Sequence, residues 1–145
     1  MRFAVFSDIH GNIEALNKVL VDIEKQDVNA VYCLGDLVGY GPRPNMVIET
    51  IRDSGIETIM GNYDDGVGYE KGECGCAYVT DVEKINGQRS IDWTTKQVSP
   101  ENKAFLRSLH DKIEFNTNGY QVLLVHGSPR RINAVSYTHL TLPTN

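Results

Sequence analysis

Short apolar runs alternate with amphipathic stretches through the first 62 residues. Phe3 to Phe6 is an apolar run that ends at Asp8. From Ile13, apolar residues at Leu16, Val19, Leu20 and Ile23 keep the spacing of one helical face. Ala30 to Leu34 is a second buried run and ends at Gly35-Asp36. Pro44 suits the first turn of a following helix, whose Val47, Ile48 and Ile51 face inward until Ser54-Gly55 stops it. Glu57 to Met60 is a third strand and ends at Gly61-Asn62. Strand–helix–strand–helix–strand with short connections predicts an α/β fold with a parallel sheet and right-handed crossovers.

The middle of the chain changes character. Asp64 to Cys76 carries Gly66, Gly68, Gly72 and Gly75 among acidic residues and reads as a loop. Thr80-Asp81-Val82-Glu83 is a capping box opening a helix. Ser99-Pro100-Glu101 opens another, carrying Phe105, Leu106 and Leu109. Ile113 to Phe115 and Tyr120 to Val125 read as two strands across an Asn118-Gly119 turn, the second running into His126-Gly127-Ser128.

Composition narrows the class. The 145 residues carry 14 Lys+Arg against 19 Asp+Glu, a net charge of −5, with 41 % hydrophobic and 23 % charged residues. Those proportions suit a globular domain, which at this length buries about 68–70 % of its unfolded surface. The acidity argues against a protein built to neutralise nucleic-acid phosphates, and no apolar run is long enough for a membrane span. The N-terminus reads as a strand, so a cytoplasmic location is expected. Of the three cysteines, Cys33 lies in an apolar strand and reads as a small core residue. Cys74-Gly75-Cys76 reads as a turn in an irregular loop, with metal binding or reaction with oxidants as the other possibilities.

The informative pattern is where polar residues sit. Each predicted strand hands over a potential metal ligand: Asp8 with His10, then Asp36, then Asn62, then His126. In an open parallel sheet the carboxyl ends of adjacent strands share one edge, so residues distant in sequence meet there. Taken singly, each is ordinary: a helix-capping aspartate, a turn asparagine, a lone histidine. Together they form a carboxylate, imidazole and amide set that suits Mn, Fe, Zn, Co or Ni better than Mg alone. Other patterns fail. Gly39-Tyr40-Gly41 follows the wrong strand for a dinucleotide fingerprint, Asp64-Asp65-Gly66 lacks the alternating ligands of a calcium loop, and Ser128 has no partner for a Ser-His-Asp arrangement.

Asp8-Ile9-His10, Gly35-Asp36, Gly61-Asn62-Tyr63-Asp64 and His126-Gly127 resemble the first four signature blocks of the calcineurin-like metallophosphoesterases. The likeness runs from residue 1 to about 133. It is greatest to the small prokaryotic phosphodiesterase branch, through Gly39-Tyr40-Gly41-Pro42 and His126-Gly127-Ser128-Pro129-Arg130. The resemblance implies an αββα sandwich, here incomplete at the C-terminus. It implies hydrolysis of a small phosphate ester at two divalent cations, Mn foremost, with Fe, Zn, Ni or Co as alternatives. Asp8 and His10 would hold one cation, Asp36 would bridge both, and Asn62 and His126 would hold the second. Asp36, Asn62 and His126 would thus serve catalysis, with Asp64 orienting the site. Arg130 and Arg131 read either as contacts to substrate oxygens or as a solvated basic pair. No membrane or nucleic-acid partner is indicated, and the oligomeric state is open.

Two departures limit this expectation. Many relatives carry His directly after the Asn of the third block, whereas this chain has Tyr63, a poor acid at neutral pH or simply a packing residue. The family's fifth block, Gly-His-x-His, is absent. In its place, Val135 to Thr144 resembles one reading frame of a transposase-type sequencing adapter. The expectation is therefore a partial metallophosphoesterase domain over residues 1–134 and a non-native tail over 135–145, from which His139 is not enlisted as a ligand. The tail has no Lys, Arg, Asp or Glu, so the charge of −5 describes the remainder. The fragment is expected to bind metal weakly and turn over little. A catalytically silent scaffold that binds a protein partner is the competing expectation, permitted by Tyr63.

Overall fold

The first strand, β1 (Phe3–Phe6), lies parallel to β2 (Ala30–Cys33), paired Phe3 to Ala30 through Phe6 to Cys33. On the other side of β2, β3 (Glu57–Thr58) pairs in parallel through Tyr32 to Glu57 and Cys33 to Thr58, so the sheet order is β1-β2-β3. The computed structural model describes residues 1–76 and 78–132. The expected domain boundary at 134 and the tail, His139 included, lie outside the described residues.

Local sequence chemistry accounts for the helices. In α1 (Ile13–Glu24), the Asn12 side chain accepts the Ala15 N–H at 3.0 Å, capping the first turn. Ile13 and Leu16 are buried and Leu20 packs on the core, while Val19, expected inside, stays exposed. Helix α2 (Pro44–Ser54) starts at its proline, ends at Gly55 in the left-handed region, and buries Val47, Ile48 and Ile51. Thr80 and Glu83 form the expected capping box of α4 (Asp81–Gln97), and Ser99 caps α5 (Pro100–Ser108). Strands β4 (Lys112–Thr117) and β5 (Tyr120–Val125) form a separate antiparallel pair across Asn118-Gly119.

Two expectations are corrected. Asn62–Gly68 is not a strand end followed by loop but a helix, α3, with Asp64 and Asp65 in its first turn. Carboxylates there complement the positive helix start, which outweighs the poor helix propensity of Gly66 and Gly68. The third strand also stops at Thr58. Ile59 still donates its N–H to the Cys33 carbonyl at 3.0 Å, and on its other side it bridges in parallel to His110, whose carbonyl accepts the Met60 N–H at 2.8 Å.

The core gathers Cys33, Val47, Ile48, Ile51, Val67 and Leu106 between the sheet and the helices. A smaller cluster of Tyr32, Ile59 and Ile113 joins the parallel sheet to the β4–β5 pair. Cys33 is a buried free thiol, as its strand context predicts, and burial pushes its pKa up to about 12. Cys74 and Cys76, expected as a turn, are joined by a disulfide. No helix among the described residues is long and apolar enough to cross a membrane.

Candidate metal centre

Beyond their last paired residues, β1 and β2 continue side by side as loops. The Asp8 N–H donates to the Gly35 carbonyl (3.0 Å), His10 to Asp36 (2.9 Å) and Gly11 to Leu37 (2.8 Å). This extended ladder is why Asp8, His10 and Asp36 meet. Gly35 makes the approach possible: its φ is +86°, and a Cβ there would fall 2.3 Å from the Gly61 nitrogen. Asp8 (φ +58°), His10 (+47°) and Asp36 (+54°) also occupy the left-handed region. That conformation costs an L-residue roughly 1–2 kcal/mol, and it persists here because the backbone bonds of both loops over-determine it.

The three side chains each offer a ligand atom, all within 4.8 Å of one another. His10 Nε2 lies 3.8 Å from Asp8 Oδ1 and 3.6 Å from Asp36 Oδ2. From the far side, His126 Nε2 lies 3.5 Å from the same Asp36 Oδ2 and 3.0 Å from Asn62 Oδ1. The structure therefore brings together all five residues that the strand-end pattern singled out, with Asp36 between the two imidazoles.

Both rings are oriented from behind. His10 Nδ1 donates to the Val38 carbonyl at 2.8 Å and His126 Nδ1 to the Leu34 carbonyl at 2.6 Å. A carbonyl only accepts, so each Nδ1 carries a proton and each ring turns its Nε2 towards Asp36. Asn62 is fixed likewise: its Nδ2 donates to the Cys74 carbonyl (3.1 Å) and to Cys76 Sγ (3.3 Å), aiming Oδ1 at His126. Lone pairs converging on one point need a cation or a proton between them. At His126, whose Nε2 faces both Asp36 Oδ2 and Asn62 Oδ1, a proton meets that need. Burial works against its charge but is outweighed by hydrogen bonding and attraction to Asp36, and its pKa stands at about 9.

Asp64 is fully buried and ties the loops together. Its Oδ2 accepts N–H bonds from Asp36 (2.8 Å) and Gly61 (2.9 Å), and its Oδ1 accepts from Leu37 (2.9 Å). Burial and the neighbouring Asp36 charge push its carboxyl above the usual range, against the pull of the three N–H groups. Asp36 Oδ1 in turn accepts the Tyr63 N–H at 2.9 Å, leaving Oδ2 for the imidazoles.

Tyr63 is a packing residue. Its ring is buried edge-on to His10, with centroids 5.1 Å apart, and its hydroxyl meets that of Tyr78 at 2.8 Å. Burial raises its pKa, so it is a still poorer acid than an exposed phenol. Arg130 and Arg131 are exposed and line a cavity of about 430 Å³ with His126, Asp65 and Asp111. Sequence reasoning missed the Tyr40, Tyr63 and Tyr78 cluster around His10. The tyrosine spacing carries no periodic signal, and only the Gly39-Tyr40-Gly41 loop hinted at it.

A family model described as calcineurin-like phosphoesterase matches residues 1–143. The chain belongs to that family. It is 43 % identical over 128 residues to the uncharacterized protein MJ0912 of Methanocaldococcus jannaschii, covering 88 % of this chain and 49 % of that one. The crystal structure of a metallophosphoesterase from Sphaerobacter thermophilus is similar at 32 % identity and a TM-score of 0.65, over 95 % of this chain and 51 % of that one. The hypothetical protein PH1004 from Pyrococcus horikoshii OT3 shares the fold, with a TM-score of 0.76 at 24 % identity over 92 % of this chain and 57 % of that one. This family member thus spans about half the length of the relatives it matches. Its family is one of metal-dependent phosphoesterases, and the α/β architecture agrees with its structural neighbours.

Proposed function

We propose that this chain carries the ligand set of a binuclear phosphoesterase hydrolysing a small phosphodiester or phosphomonoester. Asp8 and His10 would hold one divalent cation, Asn62 and His126 the other, and Asp36 would be shared between them. The observation that supports this reading is the placement of Asp36 Oδ2, 3.6 Å from His10 Nε2 and 3.5 Å from His126 Nε2, with both rings turned towards it. The donor set fits Mn, with Fe, Zn, Ni and Co as alternatives. When bound, such a pair of cations supplies Lewis-acid polarisation of the phosphoryl oxygens and lowers the pKa of water.

The protein's own groups do the rest. Asp64 holds the Asp36 and Asn62 loops in register through its three N–H bonds. Arg130 and Arg131 border the cavity that reaches His126 and contact the substrate's non-bridging oxygens there. Lys112 lines the same wall, beside Asp111 and the Lys71-paired Asp65. The scaffold reading is not favoured, because a scaffold has no use for clustered carboxylates in left-handed backbone.

The proposal extends to a non-native origin for residues 135–145, which nucleotide codons differing from the adapter would contradict. Without Gly-His-x-His in its sequence, the chain binds Mn weakly and turns over little. Calorimetric titration with Mn tests the ligand set: weak binding by the chain is expected, abolished by Asp36→Asn. Tight uptake of two ions, or no effect of Asp36→Asn, would overturn the assignment. A version extended to the length of the relatives should hydrolyse bis-p-nitrophenyl phosphate with Mn.

A further inference from the structure

Tyr40, in the Gly39-Tyr40-Gly41-Pro42 loop, stands beside the centre. It follows Gly39 in the left-handed region at φ +54°, where glycine or asparagine would be cheaper, and it is 55 % exposed. Neither backbone preference nor core packing asks for tyrosine at that position. Yet its backbone is held firmly, with the Tyr40 N–H donating to Ser90 Oγ at 2.7 Å. Its ring stands edge-on to His10 with centroids 4.9 Å apart and tilts against Tyr63 at 5.0 Å.

On its open side Tyr40 lines a cavity of about 450 Å³ with Tyr78, Val79, Glu83, Asn86 and Gly87. Gly87 is required for its shape, since a Cβ there would fall 2.0 Å from the Tyr78 hydroxyl. The lining is aromatic and apolar with one carboxylate and one amide. Glu83 is committed to capping α4, accepting the Val79 and Thr80 N–H groups at 3.0 Å each, and those bonds hold its carboxyl below the usual range. The Asn86 side-chain amide has no hydrogen-bond partner among the described residues and can both donate and accept. No cation lines the space, so a second phosphate is poorly received there. A flat, uncharged heteroaromatic group matches it in size and chemistry.

We propose that this cavity is the subsite for a nucleobase, stacked on Tyr40 and hydrogen-bonded by Asn86, so that the phosphate ester presented to the adjacent His10 and Asp36 is a nucleoside ester. This deepens the phosphoesterase reading and rests on it. Binding can be read without any metal, using saturation-transfer NMR on the full chain with adenosine as probe and with ribose and inorganic phosphate as comparisons. Adenosine should bind, and ribose and phosphate should not at the same concentration. Tyr40→Ala should weaken adenosine about 5- to 150-fold, the range for losing one base–aromatic stack. Should Tyr40→Ala fail to fold, Asn86→Trp, at an exposed helix position, fills the cavity and should abolish binding.

Absence of adenosine binding to the wild type, or binding that survives both substitutions, overturns the subsite. Mn titration of the same samples separates the two ideas. Mn uptake without adenosine binding removes only the nucleobase subsite, whereas adenosine binding without Mn uptake confirms the pocket and removes the phosphoesterase link.

Discussion

Asp64→Ala should be among the most destabilising single substitutions in this chain, although the side chain would touch neither cation nor substrate. The change orphans the N–H groups of Asp36, Leu37 and Gly61, all now bonded to one carboxylate at 2.8–2.9 Å. Each buried donor left without a partner costs about 1–3 kcal/mol. Losses that share one acceptor do not simply add, and removing a charge beside Asp36 returns part of the cost, so the net is ~3–5 kcal/mol. Asp64→Asn behaves differently. Its one oxygen can occupy the Oδ2 position and keep the Asp36 and Gly61 bonds, but its NH2 then faces the Leu37 N–H, donor against donor, for ~2–3 kcal/mol. Urea unfolding followed by circular dichroism reads both. With m near 1–3 kcal/mol/M, the midpoint should fall by roughly 1–5 M for Ala and less far for Asn. Equal losses for the two variants, or an Ala loss under about 1 kcal/mol, would refute the view that Asp64 acts through its three N–H bonds.

Gly35→Ala should cost more than Gly55→Ala in the same assay. Both glycines have positive φ, but a Cβ at 35 meets backbone at 2.3 Å while one at 55 meets nothing within 4 Å. The control should lose about 1–2 kcal/mol and Gly35→Ala at least 1 kcal/mol more; similar losses would show that crowding against Gly61 is unimportant. Iodoacetamide should label no cysteine in the unreduced native chain, two after native-state reduction, and all three only after unfolding. Labelling of Cys33 in the native state would contradict its burial. Because burial raises the Cys33 pKa from 9.0 to about 12, the unfolded chain loses that proton first. Its stabilising contribution is therefore intact below pH 9 and lost between pH 9 and 12, by up to about 1.4 kcal/mol per pH unit. Wild-type stability should fall relative to Cys33→Val across that window, and parallel pH profiles would argue against it.

Much of the architecture was legible because its signals are local. Thr80 and Ser99 cap helices within three residues of themselves, Pro44 and Gly55 bound α2, and Asn118-Gly119 turns β4 into β5. The five candidate ligands were legible for a different reason. The parallel sheet gathers the ends of β1, β2 and β3 and with them Asp8, His10, Asp36 and Asn62, whereas His126 follows β5 of the separate antiparallel pair and stood out only as a polar residue at a strand end. What stayed hidden depends on contacts between segments far apart in the chain. Helix α3 was masked by its glycines, and its start is held by bonds between Asp64 and the β2 loop, 27 and 28 residues away. The Cys74–Cys76 bond and its contact with Asn62 were equally invisible to composition.

The sequence by itself therefore determined the α/β order, the parallel sheet and which polar residues follow its strands. Only the tertiary structure decided that Asp36 sits between the two imidazoles, that both rings turn Nε2 inward, and that Tyr40 shares its ring with His10 and an open cavity. Element formation is governed by hydrogen bonds and apolar spacing within a few residues. The centre is governed by two loops laddered together after their strands end and by one buried carboxylate that fastens them, and such long-range closures leave no period in the chain.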